Sequence, residues 1–389
     1  MHLVIKNDGI GDLVLASGLI SDLAREMGPV DLLTCEANRE IAENIPGLRR
    51  CLYVSRDAIH FQRHLLRIGV PWVIGTPQDR RVLRELQRTR YESAICLRRF
   101  IRQSSLALMN AVQADRRHCA WLFPTNASSA LAAQCSEGWR HFRGPSTGSE
   151  LSYFRAFVQD AMGWTPASPP RLRCAEGLEP RPQAGRVGLI ISGASTNWPA
   201  DHWERLTLEL AKDGCRCVLF GGPEAVELGR RLAARVSTVE NLVGQRTFAG
   251  SVPDLGRVSL VIGNDTGMTH FAALVAVRTL IVLGGGTFGR FFPWPDDSRQ
   301  TVVFRAMECF DCDWQCRYPQ RECMTQVQPD EVLEVARRLL QGERVGAWVN
   351  LNSGSVSYQP GWRRGMTDAG GAATVVIRGG TETRSGQSS

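Results

Sequence analysis

LVIKNDGIGDLVLASGLISDLARE, residues 3–26, decides the fold class. Leu3-Val4-Ile5 is a short apolar run of the kind that forms a buried strand. Gly9-Ile10-Gly11-Asp12 is a glycine-flanked turn, and Leu13, Leu15, Leu19, Ile20 and Leu23 follow at helical spacing. Strand, glycine turn and amphipathic helix open a nucleotide-binding half-fold. The turn is not a dinucleotide fingerprint, because Val14 stands where G-x-G-x-x-G needs its third glycine, and no G-x-x-x-x-G-K-[ST] loop occurs anywhere. Asp12 falls at or just before the helix start. It can cap the helix, a place that favours aspartate, or present a carboxylate to a cleft, and the first role does not exclude the second. A carboxylate makes a poor cradle for pyrophosphate, so anion binding is expected elsewhere.

Working outward, apolar runs at 30–34, 51–54, 72–74 and 93–96 alternate with helical patterns, which predicts a parallel α/β unit. Residues 166–186 are proline-rich and aperiodic, as an inter-domain linker would be. A second start follows. VGLIISGAS (187–195), CRCVLFGGPEAVELGRRLA (215–233), LVIGNDTGMTHFAALVAV (260–277) and RTLIVLGGG (278–286) each begin with a strand pattern, and 329–341 ends the series as a helix. The expected fold class is α/β: two Rossmann-like, doubly wound parallel-sheet domains, 1–165 and 187–345, facing a cleft. Residues 346–389 are rich in glycine, serine and threonine and are expected to be a disordered tail.

A chain of 389 residues with 43% apolar content suits two ordinary domains. The net charge is +7, carried almost wholly by arginine, with lysine only at positions 6 and 212. Between positions 49 and 143 arginines outnumber acids and come in pairs: Arg49-Arg50, Arg80-Arg81, Arg98-Arg99 and Arg116-Arg117. A basic half points to an anionic partner such as a phosphorylated glycolipid or a membrane surface, with a solvated face as the plainer reading. Nucleic acid is disfavoured, since no nucleic-acid module is present. No signal peptide opens the chain and no charge-free apolar run reaches the ~20 residues of a membrane span. The expected compartment is the cytoplasm, where the twelve cysteines would mostly be free thiols.

The second half holds three turns suited to an anion. Asp265, Thr266 and Gly267 precede a helix expected to begin near Met268, and backbone N–H groups there favour phosphate. Ile191 to Thr196, with the small hydroxyls Ser195 and Thr196, allows close approach of an oxyanion. In FGGPEAVE (220–227), Glu224 can accept from ribose hydroxyls. Three such turns at the ends of consecutive strands make a nucleotide site. Cys309, Cys312, Cys316 and Cys323 run as C-x2-C-x3-C-x6-C, a spacing compatible with a small structural zinc or iron site or with reduced thiols.

Five segments in order carry a family resemblance: IKNDGIGDLVLASGLISDL, SGASTNWPADHWERL, FGGPEAVE, GNDTGMTHFAALVAV and the cysteine cluster. Together they resemble the bacterial heptosyltransferases, glycosyltransferase family nine, over roughly residues 1–342. The resemblance implies the GT-B architecture, with an acceptor-side N-terminal domain and a nucleotide-sugar-binding C-terminal domain. It implies inverting transfer of a heptose from ADP-heptose, or a related nucleotide sugar, to a lipopolysaccharide-type glycolipid. No cofactor is required for catalysis, and peripheral contact with the inner membrane is expected. Asp12 becomes the general base and Gly11 its neighbour in the site; Asp265, Thr266 and Gly267 match the phosphate motif, His270 its neighbouring histidine, and Glu224 the ribose contact. One departure stands out. Where the family commonly has a lysine before the Trp198-Pro199 pair, this chain has Asn197, so either Arg290 or another cation compensates, or donor binding is weak, or the donor is not ADP-heptose. The alternatives are transfer to a protein acceptor and a degenerate nucleotide-sugar-binding protein without turnover.

Overall fold

The computed structural model describes residues 1–55, 60–61, 73–99, 103–120, 139–142, 148–192, 198–275, 277–295 and 297–352. The N-terminal elements are β1 (His2–Ile5), α1 (Ile10–Met27), β2 (Val30–Cys35), α2 (Arg39–Glu43), β3 (Leu48–Val54), β4 (His60–Phe61), β5 (Val73–Ile74), α3 (Pro77–Arg88), β6 (Arg90–Cys96), α4 (Gln103–Ala111), β7 (Gln113–Ala120), β8 (Trp139–Phe142) and α5 (Glu150–Met162). The C-terminal elements are β9 (Arg186–Ile190), α6 (Ala200–Lys212), β10 (Arg216–Phe220), α7 (Val226–Arg235), β11 (Glu240–Asn241), α8 (Phe248–Leu255), β12 (Leu260–Asn264), α9 (Gly267–Leu274), β13 (Thr279–Val282), β14 (Gln300–Phe304), α10 (Glu322–Thr325), α11 (Pro329–Leu340) and β15 (Trp348–Asn350).

Two fully parallel sheets result, in the orders β3-β2-β1-β6-β7-β8 and β11-β10-β9-β12-β13-β14-β15. Both reverse direction beside their first strand, between β1 and β6 and between β9 and β12. Side chains at the carboxyl edge of such a switch point face a crevice, which is where α/β sheets hold ligands. Registers align the exits: Ile5 pairs Cys96 and Ile190 pairs Gly263. The turn after β1 therefore emerges beside the segment after β6.

The domains share one core. Val4, Leu13 and Leu19 of the N-terminal unit belong to the same buried cluster as Leu189, Ile262 and Phe271, while Leu3, Ile5, Val82 and Leu86 form a second cluster on the other face of the first sheet. The proline-rich segment is strapped to α1: the N–H groups of Ala167 and Ser168 donate to Asp22 Oδ2 at 3.1 and 2.9 Å, and Arg171 N–H donates to Ser17 Oγ at 2.9 Å.

Three expectations need correction. Of the run at 72–74, the described Val73–Ile74 pairs antiparallel with His60–Phe61 in a separate ribbon, outside the parallel sheet. β7 and β8 extend that sheet instead; β7 (QADRRHCA) escaped notice because its polar composition hides any apolar run. Trp348–Asn350, in the segment expected to be disordered, is the edge strand of the second sheet, where Trp348 meets Phe288 and Phe304. Residues 353–389 lie outside the described residues.

Candidate active site

The two switch points meet through helix starts. α1 begins at Ile10 behind Gly9, one residue before Gly11, and α9 begins at Gly267 behind Thr266. A Cβ on Gly11 would stand 2.6 Å from His270 Cδ2, and one on Gly267 would stand 2.9 Å from Ile10 Cβ, so the absence of side chains lets the helix N-termini touch. Each N-terminus carries unsatisfied N–H groups and a partial positive charge, which makes the junction an anion-favouring place.

Asp12 is the third residue of α1 and caps it from within, its Oδ2 accepting from Gly9 N–H at 3.2 Å. Its side chain keeps 21% exposure, so capping the helix leaves part of the carboxylate accessible. Lys6, wholly buried at the end of β1, donates to Asp8 Oδ2 at 2.8 Å and lies 3.7 Å from Asp12 Oδ1. Arg98, from the segment after β6, closes on Asp8 Oδ1 at 3.0 Å. Burial pushes the Asp12 carboxyl above the usual carboxylate range; Lys6 and Arg290 oppose the shift, and Asp8 and Glu150 add to it. Burial acts on Asp8 in the same sense, but Lys6 and Arg98 overcome it and hold that group below its ordinary value.

Across the junction, Thr266 caps α9, its hydroxyl accepting from Thr269 N–H. Trp294 Nε1–H donates to His270 Nδ1 at 3.1 Å, which leaves Nε2–H to donate to Asp265 Oδ1 at 3.2 Å. Phe292 stacks on the imidazole with centroids 4.1 Å apart. His270 is thus a brace: it fixes the Asp265 carboxylate at the helix start. Glu224 is exposed at the short helical turn Pro223–Ala225 after β10, with Ser192 Oγ donating to it at 3.4 Å. Glu224 stands at the carboxyl edge of the second sheet, as do Asp265, Thr266 and Gly267. Ser195, Thr196 and Asn197 lie outside the described residues.

Sequence reasoning missed four residues. Asn264 ties the described start of the next segment, accepting from Trp198 N–H at 3.1 Å and donating to Val282 O at 3.0 Å. Lys6 and Asp8 carried a visible signal, a lysine in an arginine-rich chain directly after the first strand. Glu150 did not, since its partner is 140 residues away: Arg290 Nε and Nη2 grip its buried carboxylate at 2.8 and 3.2 Å, and Glu150 N–H donates to Arg290 O at 2.7 Å. Arg290, one candidate for a replacement cation at the phosphates, is held in this clamp between the halves.

The four cysteines lie near enough to act on one another's charge. Cys309, Cys312 and Cys323 are buried and Cys316 is exposed. Among the described residues no group of three or more His, Cys, Asp or Glu side chains is placed to hold a metal ion. The loop is shaped by packing: Phe310 and Trp314 lie on Gly285 and Gly286, and Asp311, Asp313 and Trp314 adopt left-handed backbone. Burial pushes the thiols of Cys309, Cys312 and Cys323 up, Cys323 to about 11.

Two parallel sheets opposed at their switch points define the GT-B class of glycosyltransferase fold. Solved structures agree: E. coli ADP-heptose lps heptosyltransferase II aligns with TM-score 0.60 at 17% identity, over 88% of this chain and 99% of that one. The glycosyl transferase family 9 protein of Veillonella parvula aligns with TM-score 0.66 at 16% identity, over 88% and 97%. E. coli heptosyltransferase WaaC, solved with ADP, aligns with TM-score 0.59 at 19% identity, over 87% and 98%. Residues 183–320 match the family described as Glycosyltransferase family 9 (heptosyltransferase). Lipooligosaccharide heptosyltransferase 2 of Campylobacter jejuni is 24% identical over 159 residues, 39% of this chain and 49% of that protein. Lipopolysaccharide heptosyltransferase 2 of E. coli K12 is 29% identical over 118 residues, 29% of this chain and 34% of that protein. The family match is confined to residues 183–320, and the chain spans about half or less of the length of these curated relatives.

Proposed function

We propose that this protein is an inverting glycosyltransferase that moves a heptose from ADP-heptose, or a closely related nucleotide sugar, to a lipopolysaccharide-type glycolipid, with Asp12 as general base. The observation that carries the reading is the meeting of α1 and α9, which sets a largely buried carboxylate, with one-fifth of its side chain exposed, against an anion-favouring helix start. In the proposed reaction the acceptor O–H bond breaks and its proton passes to Asp12. The acceptor oxygen bonds to the anomeric carbon from the face opposite the diphosphate. The bond from that carbon to the diphosphate breaks, and its electron pair leaves with ADP. A positioned base is worth ~10²–10⁴-fold in such a step. The N–H groups at the start of α9 take up the charge growing on the leaving group, and Glu224 accepts from the ribose. No step requires a metal.

Donor binding tests the C-terminal half of this reading. Thr266→Ala removes a helix cap, a loss of about 1 kcal/mol, and Asp265→Ala removes the carboxylate that His270 braces. Each is expected to weaken ADP binding about tenfold, equivalent to ~1.4 kcal/mol, in isothermal calorimetry. Unchanged affinity in both contradicts the assignment of this helix start to the diphosphate.

On the acceptor side, most arginine pairs turn out to serve the fold. Arg49 and Arg50 both bind buried Asp31, Arg98 binds Asp8, Arg99 binds Gly148 O, and Arg117 caps three backbone carbonyls. Among the described arginines that stay outward, Arg81, Arg84 and Arg88 lie together on one face of α3 and make no ion pair among the described residues. We propose that this stripe meets an anionic membrane surface. At about 1 kcal/mol per arginine, replacing all three by alanine should reduce co-sedimentation with phosphatidylglycerol vesicles about a hundredfold. Retention independent of salt and of the three arginines contradicts the stripe's role.

A further inference from the structure

Lys6 is one of two lysines in a chain whose other basic side chains are arginines, and it is wholly buried. Its ammonium sits between two carboxylates, 2.8 Å from Asp8 Oδ2 and 3.7 Å from Asp12 Oδ1, with Phe154 beneath it at 4.5 Å from the ring centroid. Asp8 is anchored on its far side by Arg98, and the second oxygen of Asp12 is occupied by Gly9 N–H. The oxygen of Asp12 that faces Lys6 is therefore the one whose environment is open to change. A compact ammonium on a flexible stem can serve two carboxylates in turn, which a planar guanidinium fork cannot do without losing its geometry.

We propose that Lys6 is a positioning residue for Asp12, a buried counter-ion shared with Asp8 that leans towards whichever carboxylate carries the charge. This rests on the reading of Asp12 as general base. Before reaction, one ammonium serves two carboxylates and keeps Asp12 charged within a buried corner. When Asp12 takes the acceptor proton its charge vanishes, and Lys6 closes on Asp8, where Arg98 already stands. The base is thus discharged while Lys6 keeps a carboxylate partner, and the corner gains one positive charge.

The other charged groups facing Asp12 do not break this balance. Glu150 from α5 and Arg290 from the C-terminal half are bound to each other, and His270 and Asp265 across Gly11 form their own pair. Lys6 against Asp8 is the contest that remains. It makes an unusual demand on two neighbouring substitutions: Lys6→Met and Asp8→Asn must act in opposite directions. Loss of the cation makes Asp12 easier to protonate; loss of Asp8 gives Asp12 sole claim to Lys6 and makes it harder. A merely structural role for either residue gives no such opposition.

The experiment needs no substrate. Protein carrying [γ-13C]aspartate is titrated by NMR, with the Asp12 resonance assigned by its disappearance in Asp12→Asn. A neighbouring charge at this range moves a carboxyl midpoint by about 1–3 pH units, so Lys6→Met should raise the Asp12 midpoint by one unit or more and Asp8→Asn should lower it. Midpoints that stay put, or move the same way, overturn the proposal. If Lys6→Met does not fold, Arg98→Met replaces it: Asp8 then draws Lys6 more strongly and the midpoint should rise, and no rise overturns the proposal. Opposed midpoints in a protein that transfers no sugar would contradict the catalytic reading of Asp12 while leaving the role of Lys6 intact.

Discussion

Asp12→Asn is expected to lower turnover by ~10²–10⁴-fold while the protein keeps its fold and its affinity for ADP. Asparagine preserves the side-chain oxygen that accepts from Gly9 N–H, so the helix cap survives. It cannot take a proton from an attacking hydroxyl. The same residue sets the pH dependence. Burial raises the Asp12 carboxyl above the usual carboxylate range, so activity should fail on the acid side at a higher pH than an ordinary aspartate would impose. The acid limb of kcat/KM should vanish with the variant. A variant that keeps more than half of the wild-type kcat at saturating substrates removes Asp12 from the chemistry.

Glu150→Ala should produce the largest loss of stability. The carboxylate is fully buried and is held bidentately by Arg290, with Arg99 Nη1 3.8 Å away. Removing it strips the buried Arg99 and the partly buried Arg290 of the carboxylate they share, and breaking a buried ion pair costs about 3–5 kcal/mol. Because the pair ties the first half of the chain to the second, chemical denaturation should also lose cooperativity and show the two sheets unfolding apart. Glu150→Gln, which keeps the shape and one acceptor, should fall between the variant and wild type. A loss below about 1 kcal/mol with one sharp transition would mean that the shared core, rather than this clamp, holds the halves together.

The architecture was legible because buried parallel strands announce themselves as apolar runs and their helices as a 3.6-residue period. The opening 24 residues gave β1 and α1 with the helix start correct to within a few positions. The helix expected near Met268 begins at Gly267. What failed was the outer part of each sheet: β8 and β15 are edge strands and β7 lies beside β8, all polar or tail-like in composition, and a strand at an edge need not be apolar throughout. Within the site, Asp12, Asp265, Thr266, Gly267 and His270 were legible from turn chemistry and resemblance, and the structure brings them to one junction. The braces were not. His270 acts through Trp294, Asn264 through Trp198, and Arg290 through Glu150, and each pairing depends on chain crossings that no local pattern encodes. The basic half misled in the opposite direction. Among the described residues, Arg49, Arg50, Arg98, Arg99 and Arg117 face buried aspartates or backbone carbonyls, so part of the charge excess visible in sequence became internal wiring.

The most direct test of the account is transfer itself. Purified protein is incubated with ADP-heptose and an extracted lipopolysaccharide core glycolipid, and ADP release is measured alongside the mass and anomeric configuration of the acceptor. The account predicts that each ADP released corresponds to one heptose gained by the acceptor, with the anomeric configuration inverted and both signals lost in Asp12→Asn. ADP-heptose that binds without any gain in acceptor mass, or a product that retains the donor's configuration, would contradict it.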